Sequence, residues 1–205
     1  MPEPITVATI TSVISTLITI VPLISAWRKD RSKKNLEALK AVFNDKVIPN
    51  FKKLEDIHKD YMQNLVQLRQ KLENRNVHPK ELIDWFETEG VEYRHQRDAL
   101  RAATSDLSID PTSDKANEFL LSVQRYLSVA AGHTELTFYR AFAKNLTDAL
   151  SLHQPTGHTD NAFYERPEVL DMCKLLRETT DVSLPKAWED VNAKFNSAKQ
   201  ALRAL

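Results

Sequence analysis

Two Glu-x-x-His pairs, Glu55 with His58 and Glu92 with His95, come nearest to chemistry in this chain. Carboxylate-bridged di-iron bundles use two such pairs and two further glutamates, all pointing inward. Helical facing tests the idea at about 100° per residue. Taken from Leu54 at the centre of its apolar stripe, His58 lies about 40° away and Glu55 about 100° away. Taken from Tyr93, His95 lies about 160° away, on the solvent side. One pair alone faces inward, so a di-iron centre is not expected.

The other candidates are weaker. His153, His158 and Glu165 share a polar stretch, but a lone His-x4-His in a loop is poor zinc chemistry. Cys173 falls on an apolar stripe and reads as a small buried hydrophobe. Asn145-Leu146-Thr147 matches a glycosylation sequon but falls in the middle of a helical pattern. Glu81, Asp84, Glu87, Glu89 and Glu92 form an acidic helix face. That face is either solvated or meets the basic stretch of residues 28–53. Only three glycines occur in 205 residues, so no dinucleotide fingerprint or phosphate loop exists. One cysteine excludes an internal disulfide and a cysteine-based zinc site. With 28 basic and 28 acidic residues there is no global case for nucleic acid. The chain is expected not to be an enzyme and to use no metal or cofactor.

The elements say more than the reactive groups. Ile5 to Trp27 is a run of 23 uncharged residues. As a helix it is about 34 Å long, against a hydrocarbon core of about 30 Å. Eleven of its residues are Ile, Val or Leu and eight are Ser or Thr. The first group favours insertion by about 3 to 6 kcal/mol, and the second offsets part of that. A cleaved signal is not expected: no Lys or Arg precedes the run, and Arg28, Lys29, Arg31, Lys33 and Lys34 follow it. The positive-inside rule puts that basic cluster in the cytoplasm and the N-terminus outside. Residues 28–53 hold nine basic and three acidic residues, a balance of +6 that suits anionic lipid headgroups.

Polar residues within the run are sorted. Thr9, Ser12, Ser15, Thr16 and Thr19 fall on one helical face, and Ile10, Val13, Ile14, Leu17, Val21 and Ile24 on the other. Hydroxyls on such a face bond back to their own helix, contact neighbouring helices or line water. Pro22 is expected to kink the run.

Beyond it the pattern is helical throughout, with no period-two stretch long enough for a strand. From Leu36 to Leu72, ten apolar steps cover 36 residues, a mean of 3.6. Pro49 should bend or break this helix near Val47. A second helix begins at Pro79 and ends around Ala103. A third runs from about Asp114 to Leu152, with Leu120, Val123 and Leu127 on one apolar face and Leu121 and Val129 on another. A fourth starts at Pro167, with Val169, Leu170, Cys173 and Leu176 as its inner stripe. Asp181 to Pro185 breaks the pattern. Trp188, Val191, Phe195, Ala198, Leu202 and Leu205 then form a strict a/d seam.

The expected fold is all-α. One N-terminal transmembrane helix (1–27) and a basic juxtamembrane segment (28–35) precede a four-helix-type bundle (36–205). This layout resembles that of fungal and plant cell-death executioner domains. The resemblance is one of layout and implies an N-terminal helix that assembles into a membrane lesion. Two functions are expected from different classes. One is a single-pass membrane effector whose N-terminal helix oligomerises or forms a pore. The other is a tethered adaptor whose cytoplasmic bundle binds a protein partner. In a variant of the first, residues 5–27 are stored against the bundle and later released.

Overall fold

A computed structural model describes residues 7–75, 77–78, 81, 115–131 and 164–204. Among these residues the chain is helical, with no strand. The order is α1 (Val7–Ile18), α2 (Val21–Lys29), α3 (Lys33–Val42), a π-helical turn π1 (Phe43–Val47) and α4 (Ile48–Glu73). Then come α5 (Lys115–Ala131), α6 (Pro167–Glu178), a second π-turn π2 (Thr179–Ser183) and α7 (Leu184–Ala204). Apart from Glu81, the expected helix from Pro79 to Ala103 lies outside the described residues, as do residues 132–163 and Leu205.

The kink comes where Pro22 demands it. The amides of Thr19 and Ile20 reach back only three residues, to the carbonyls of Thr16 and Leu17, at 3.2 and 3.4 Å. Pro22 then sits in the first turn of α2, where a missing N–H costs nothing. Asp30–Ser32 reverses the chain, and Ser32 caps α3 by accepting from the Asn35 amide.

Pro49 and Pro185 do not break their helices. Each follows a π-turn, closed by bonds from the Ile48 amide to the Phe43 carbonyl and from the Leu184 amide to the Thr179 carbonyl. In place of the bend or break expected near Val47 and the break expected at Asp181–Pro185, the helices are bulged but continuous. The cause is the apolar spacing. Steps of four residues each advance about 40° beyond a full α-turn. Leu39, Phe43, Val47 and Phe51 make three such steps, so their drift reaches about 120°. One extra residue in a π-turn removes about 100° and returns the stripe to one side. Met172, Leu176, Thr180 and Leu184 repeat the device, and all four are buried.

All described helices contribute to one apolar core. The first stripe holds: every member from Leu39 to Leu72 is buried, and Leu36 is half-buried. The a/d seam is buried from Val191 to Leu202, with Trp188 half-buried. Two details differ. Leu170 is 48% exposed, and Met172 takes the inner position assigned to it. On α5, Phe119 and Tyr126 are fully buried beside Leu120, Val123 and Leu127. α5 packs along α7, α6 lies on α4, and α1 lies on α4 and π1. α2 rests on α3 and α5.

Candidate functional site: the N-terminal helices and the junction beneath them

Residues 8–29 form a run long and apolar enough to cross a membrane, with a mean hydropathy of 1.9 over its 18-residue window. Here, 33% of that window is buried inside the protein. The buried third is one face. Ile10, Val13, Ile14, Leu17, Ile20 and Ile24 are closed off in the core, and Val21 is packed against it in part. Ser12, Ser15 and Thr19 are exposed on the other side, while Thr9 and Thr16 are half-buried. The Thr16 hydroxyl donates to the Ser12 carbonyl at 2.8 Å, and that of Thr19 to the Thr16 carbonyl at 2.7 Å. The two-faced division is therefore that of a helix with one side on a core and the other left exposed by the rest of the chain.

The basic cluster is held in a shaped turn. Lys29, Arg31, Lys33 and Lys34 are exposed and Arg28 is half-buried. Lys33 lies 3.8 Å from Glu37. Arg31 stands over the Trp27 ring at 5.8 Å, within cation–π range. Asn35 fastens the turn. Its amide nitrogen donates to the Asp30 carbonyl at 2.9 Å, the Asp30 carboxylate at 3.3 Å and the Ala26 carbonyl at 3.4 Å. Sequence reasoning passed over Asn35. Its signal was the Ser32-x-x-Asn35 spacing at a helix start.

His58 lies where the helical stripe puts it, and it belongs to an aromatic junction of three helices. Its ring stacks on Trp188 of α7 at 4.4 Å and 10°, and meets Tyr126 of α5 edge-on at 5.5 Å. His58 Nδ1 is 3.1 Å from the Tyr126 hydroxyl. With the ring proton on Nε2, the phenol donates to Nδ1. Burial lowers the His58 pKa from 6.5 to about 4; Glu55 works against this and Lys59 with it. Burial also raises the Tyr126 pKa, so the phenol keeps its proton. One turn on, the Tyr61 hydroxyl donates to the Ala130 carbonyl, a second tie between α4 and α5. Phe51, Phe119 and Phe195 continue the aromatic packing along the same three helices. Glu55 is paired with Lys59 at 2.9 Å, outside the junction.

A second polar assembly locks α4 to π2. Arg69 Nη1 donates to Thr180 Oγ1 at 2.7 Å and to Asp181 at 2.6 Å, and Arg177 Nε donates to Glu73 at 2.6 Å. The bond from Arg69 holds the Asp181 carboxyl below its usual range. Beside it, Leu72, Tyr164, Leu170 and Cys173 line a groove of about 240 Å³ edged by Arg75, Lys174 and Arg177. Cys173 is half-buried there, and burial raises its thiol pKa. Among the described residues, no three His, Cys, Asp or Glu side chains are grouped to hold a metal. Glu92, His95, His153 and His158 lie outside the described residues. The chain matches no protein-family model, and neither a curated protein nor a solved structure matches it.

Proposed function

We propose that this protein is a membrane effector held in a stored form, with residues 7–29 laid on a four-helix-type bundle until they enter a bilayer. One observation carries the reading. The segment that is uncharged up to Trp27 and long enough to span is also the segment that seals the core with one face. Fully burying an aliphatic side chain is worth about 1.5 to 3 kcal/mol, so six of them hold the segment down by about 9 to 18 kcal/mol of transfer energy. Release into water forfeits that term. Release into hydrocarbon keeps it, because lipid tails are as apolar as the core.

The basic turn supports the same reading. Arg28, Lys29, Arg31, Lys33 and Lys34 follow the segment and suit anionic headgroups at about 1 kcal/mol per residue near the surface. On insertion they would stay on the cytoplasmic side while the N-terminus crosses. The hydroxyl face of Thr9, Ser12, Ser15, Thr16 and Thr19, turned to solvent in the stored form, would meet other copies or line water in an oligomer. A permanent tether under an adaptor bundle accounts less well for the buried face. It leaves six core side chains without their partner surface.

The test uses the full chain carrying Ser15→Cys in a Cys173→Ala background, labelled with an environment-sensitive dye. Mixed with phosphatidylglycerol vesicles, the label should shift to the blue and trapped dye should leak. A label that stays in water, with protein that never floats with vesicles under any condition, overturns the reading. Residues 7–29 are then the core helices of a soluble bundle.

A further inference from the structure

Two of the helices that support the N-terminal segment are tied to one another in part through a titratable side chain. α1 rests on α4, and α2 rests on α5. The two supports are tied across the core by the His58–Tyr126 bond and the Tyr61–Ala130 bond. The second tie is insensitive to pH between 7 and 4, since a tyrosine hydroxyl and a backbone carbonyl do not titrate there. The first depends on an imidazole lone pair. Protonation turns Nδ1 from an acceptor into a donor, and the buried phenol loses the acceptor for its O–H. A buried hydroxyl without an acceptor, beside a new charge in an aromatic setting, weakens the junction.

We propose that His58 is an acid-sensitive latch: its protonation loosens α4 from α5 and frees residues 7–29 for the membrane. This rests on the reading of those residues as releasable. The groups around the ring leave His58 as the responding element. On its own helix, Glu55 and Lys59 act with opposite sign. α5 presents the Tyr126 phenol and α7 the uncharged Trp188 indole. The folded protein keeps His58 neutral down to about pH 4, whereas an opened junction exposes a ring that protonates near 6.5. Acid therefore draws the protein towards the opened form across that interval.

The experiment compares the full chain with His58→Gln, which retains an acceptor for the phenol but does not titrate between pH 7 and 4. Amide exchange over residues 7–29, taken relative to the intrinsic exchange rate at each pH, is followed without vesicles, and the Ser15→Cys label is followed with phosphatidylglycerol vesicles. In the wild type, exchange and insertion should both rise at least about tenfold from pH 7 to pH 4.5, the effect of one pKa unit of linkage. In His58→Gln both should stay flat. His58→Phe, which preserves the stack on Trp188, serves as the second variant if the first fails to fold. The latch is overturned if wild type and variant show the same acid transition, or if wild-type insertion is equally strong at every pH. The latter result leaves the membrane reading standing. Acid-induced exchange in the wild type alone, with no insertion into vesicles, supports the latch and removes the membrane reading.

Discussion

Phe51 and Phe195 lie flat on one another, with ring centroids 3.7 Å apart and planes 3° from parallel. They come from the two bulged helices, 144 positions apart in sequence, and each ring is buried. Phe119 closes on both, at 6.0 and 5.3 Å. Truncating Phe195 to Ala should cost about 3 to 5 kcal/mol, as for other buried aromatics. Urea unfolding of Phe51→Ala, Phe195→Ala and the double variant should give a coupling of about 0.5 to 1.5 kcal/mol. Strict additivity would mean that the stack adds nothing beyond burial.

The two faces of α1 should behave as opposites in solution. Leu17→Ala, at a fully buried site, is expected to destabilise the folded protein by about 2 to 5 kcal/mol. Changing Ser12 and Ser15 to Ala should move stability by about 0.5 kcal/mol or less each, since they are exposed. In membranes, the fourfold change of Thr9, Ser12, Thr16 and Thr19 to Ala should reduce crosslinked oligomers and leakage. Contacts of this kind are worth about 0.6 kcal/mol each on average, so single changes should do little. Chemical denaturation and membrane crosslinking, run on the same variants, separate the two effects.

Stability should fall on acidification earlier than carboxylates alone would cause. The folded pKa of His58, about 4, lies below its ordinary 6.5. The unfolded chain therefore takes up the proton first. Stability is full above about pH 6.5, declines between 6.5 and 4, and has lost this contribution below 4. The loss should be of the order of 2 kcal/mol, allowing for partial exposure of the ring. Urea midpoints at pH 7 and pH 5 should differ for the wild type and converge for His58→Gln. The lowered Glu118 and Asp181 carboxyls act in the same direction, but only below their ordinary range near pH 4.

The π-turns should survive loss of their prolines. If the four-residue spacing sets them, Pro49→Ala leaves π1 in place and changes stability by about 1 kcal/mol or less. Removing the exposed Asn44 should do far more. It rotates Leu39 and everything before it by about 100° away from the core. A crystal structure of Pro49→Ala with an unbroken α-helix from Lys33 to Glu73 would refute this account.

Much of the architecture was legible in sequence because burial and spacing coincide. Every apolar residue of the stripe from Leu39 to Leu72 is buried, and the seam from Val191 to Leu202 is buried with it. The sorted faces of residues 9–24 were legible for the same reason. What lies against the apolar face was not, because a hydrocarbon and a protein core select the same side chains. The π-turns were hidden by averaging: a mean step of 3.6 conceals three successive fours. The partner of His58 was beyond reach, since Tyr126 lies 68 positions away on another helix. Leu170 misled because it stands three residues before Cys173, but it turns about 100° from Val169, to the stripe's edge, whereas Met172 keeps steps of three and four between Val169 and Leu176.

The break at Thr19–Ile20 sets a limit on reach. α1 alone, at 12 residues, spans about 18 Å, and α2, at nine, about 14 Å. Neither piece crosses a hydrocarbon core of about 30 Å. Wound into one rod, the 22 residues from Ala8 to Lys29 measure about 33 Å. The jointed form is thus too short in either limb to span a bilayer, and the proposed insertion requires straightening as well as detachment. Asn35 fastens Ala26 and Asp30 at the far end of α2, so the basic turn is held while the joint lies at Thr19–Ile20. Under the proposed release, lifting off and stiffening would be two separate events.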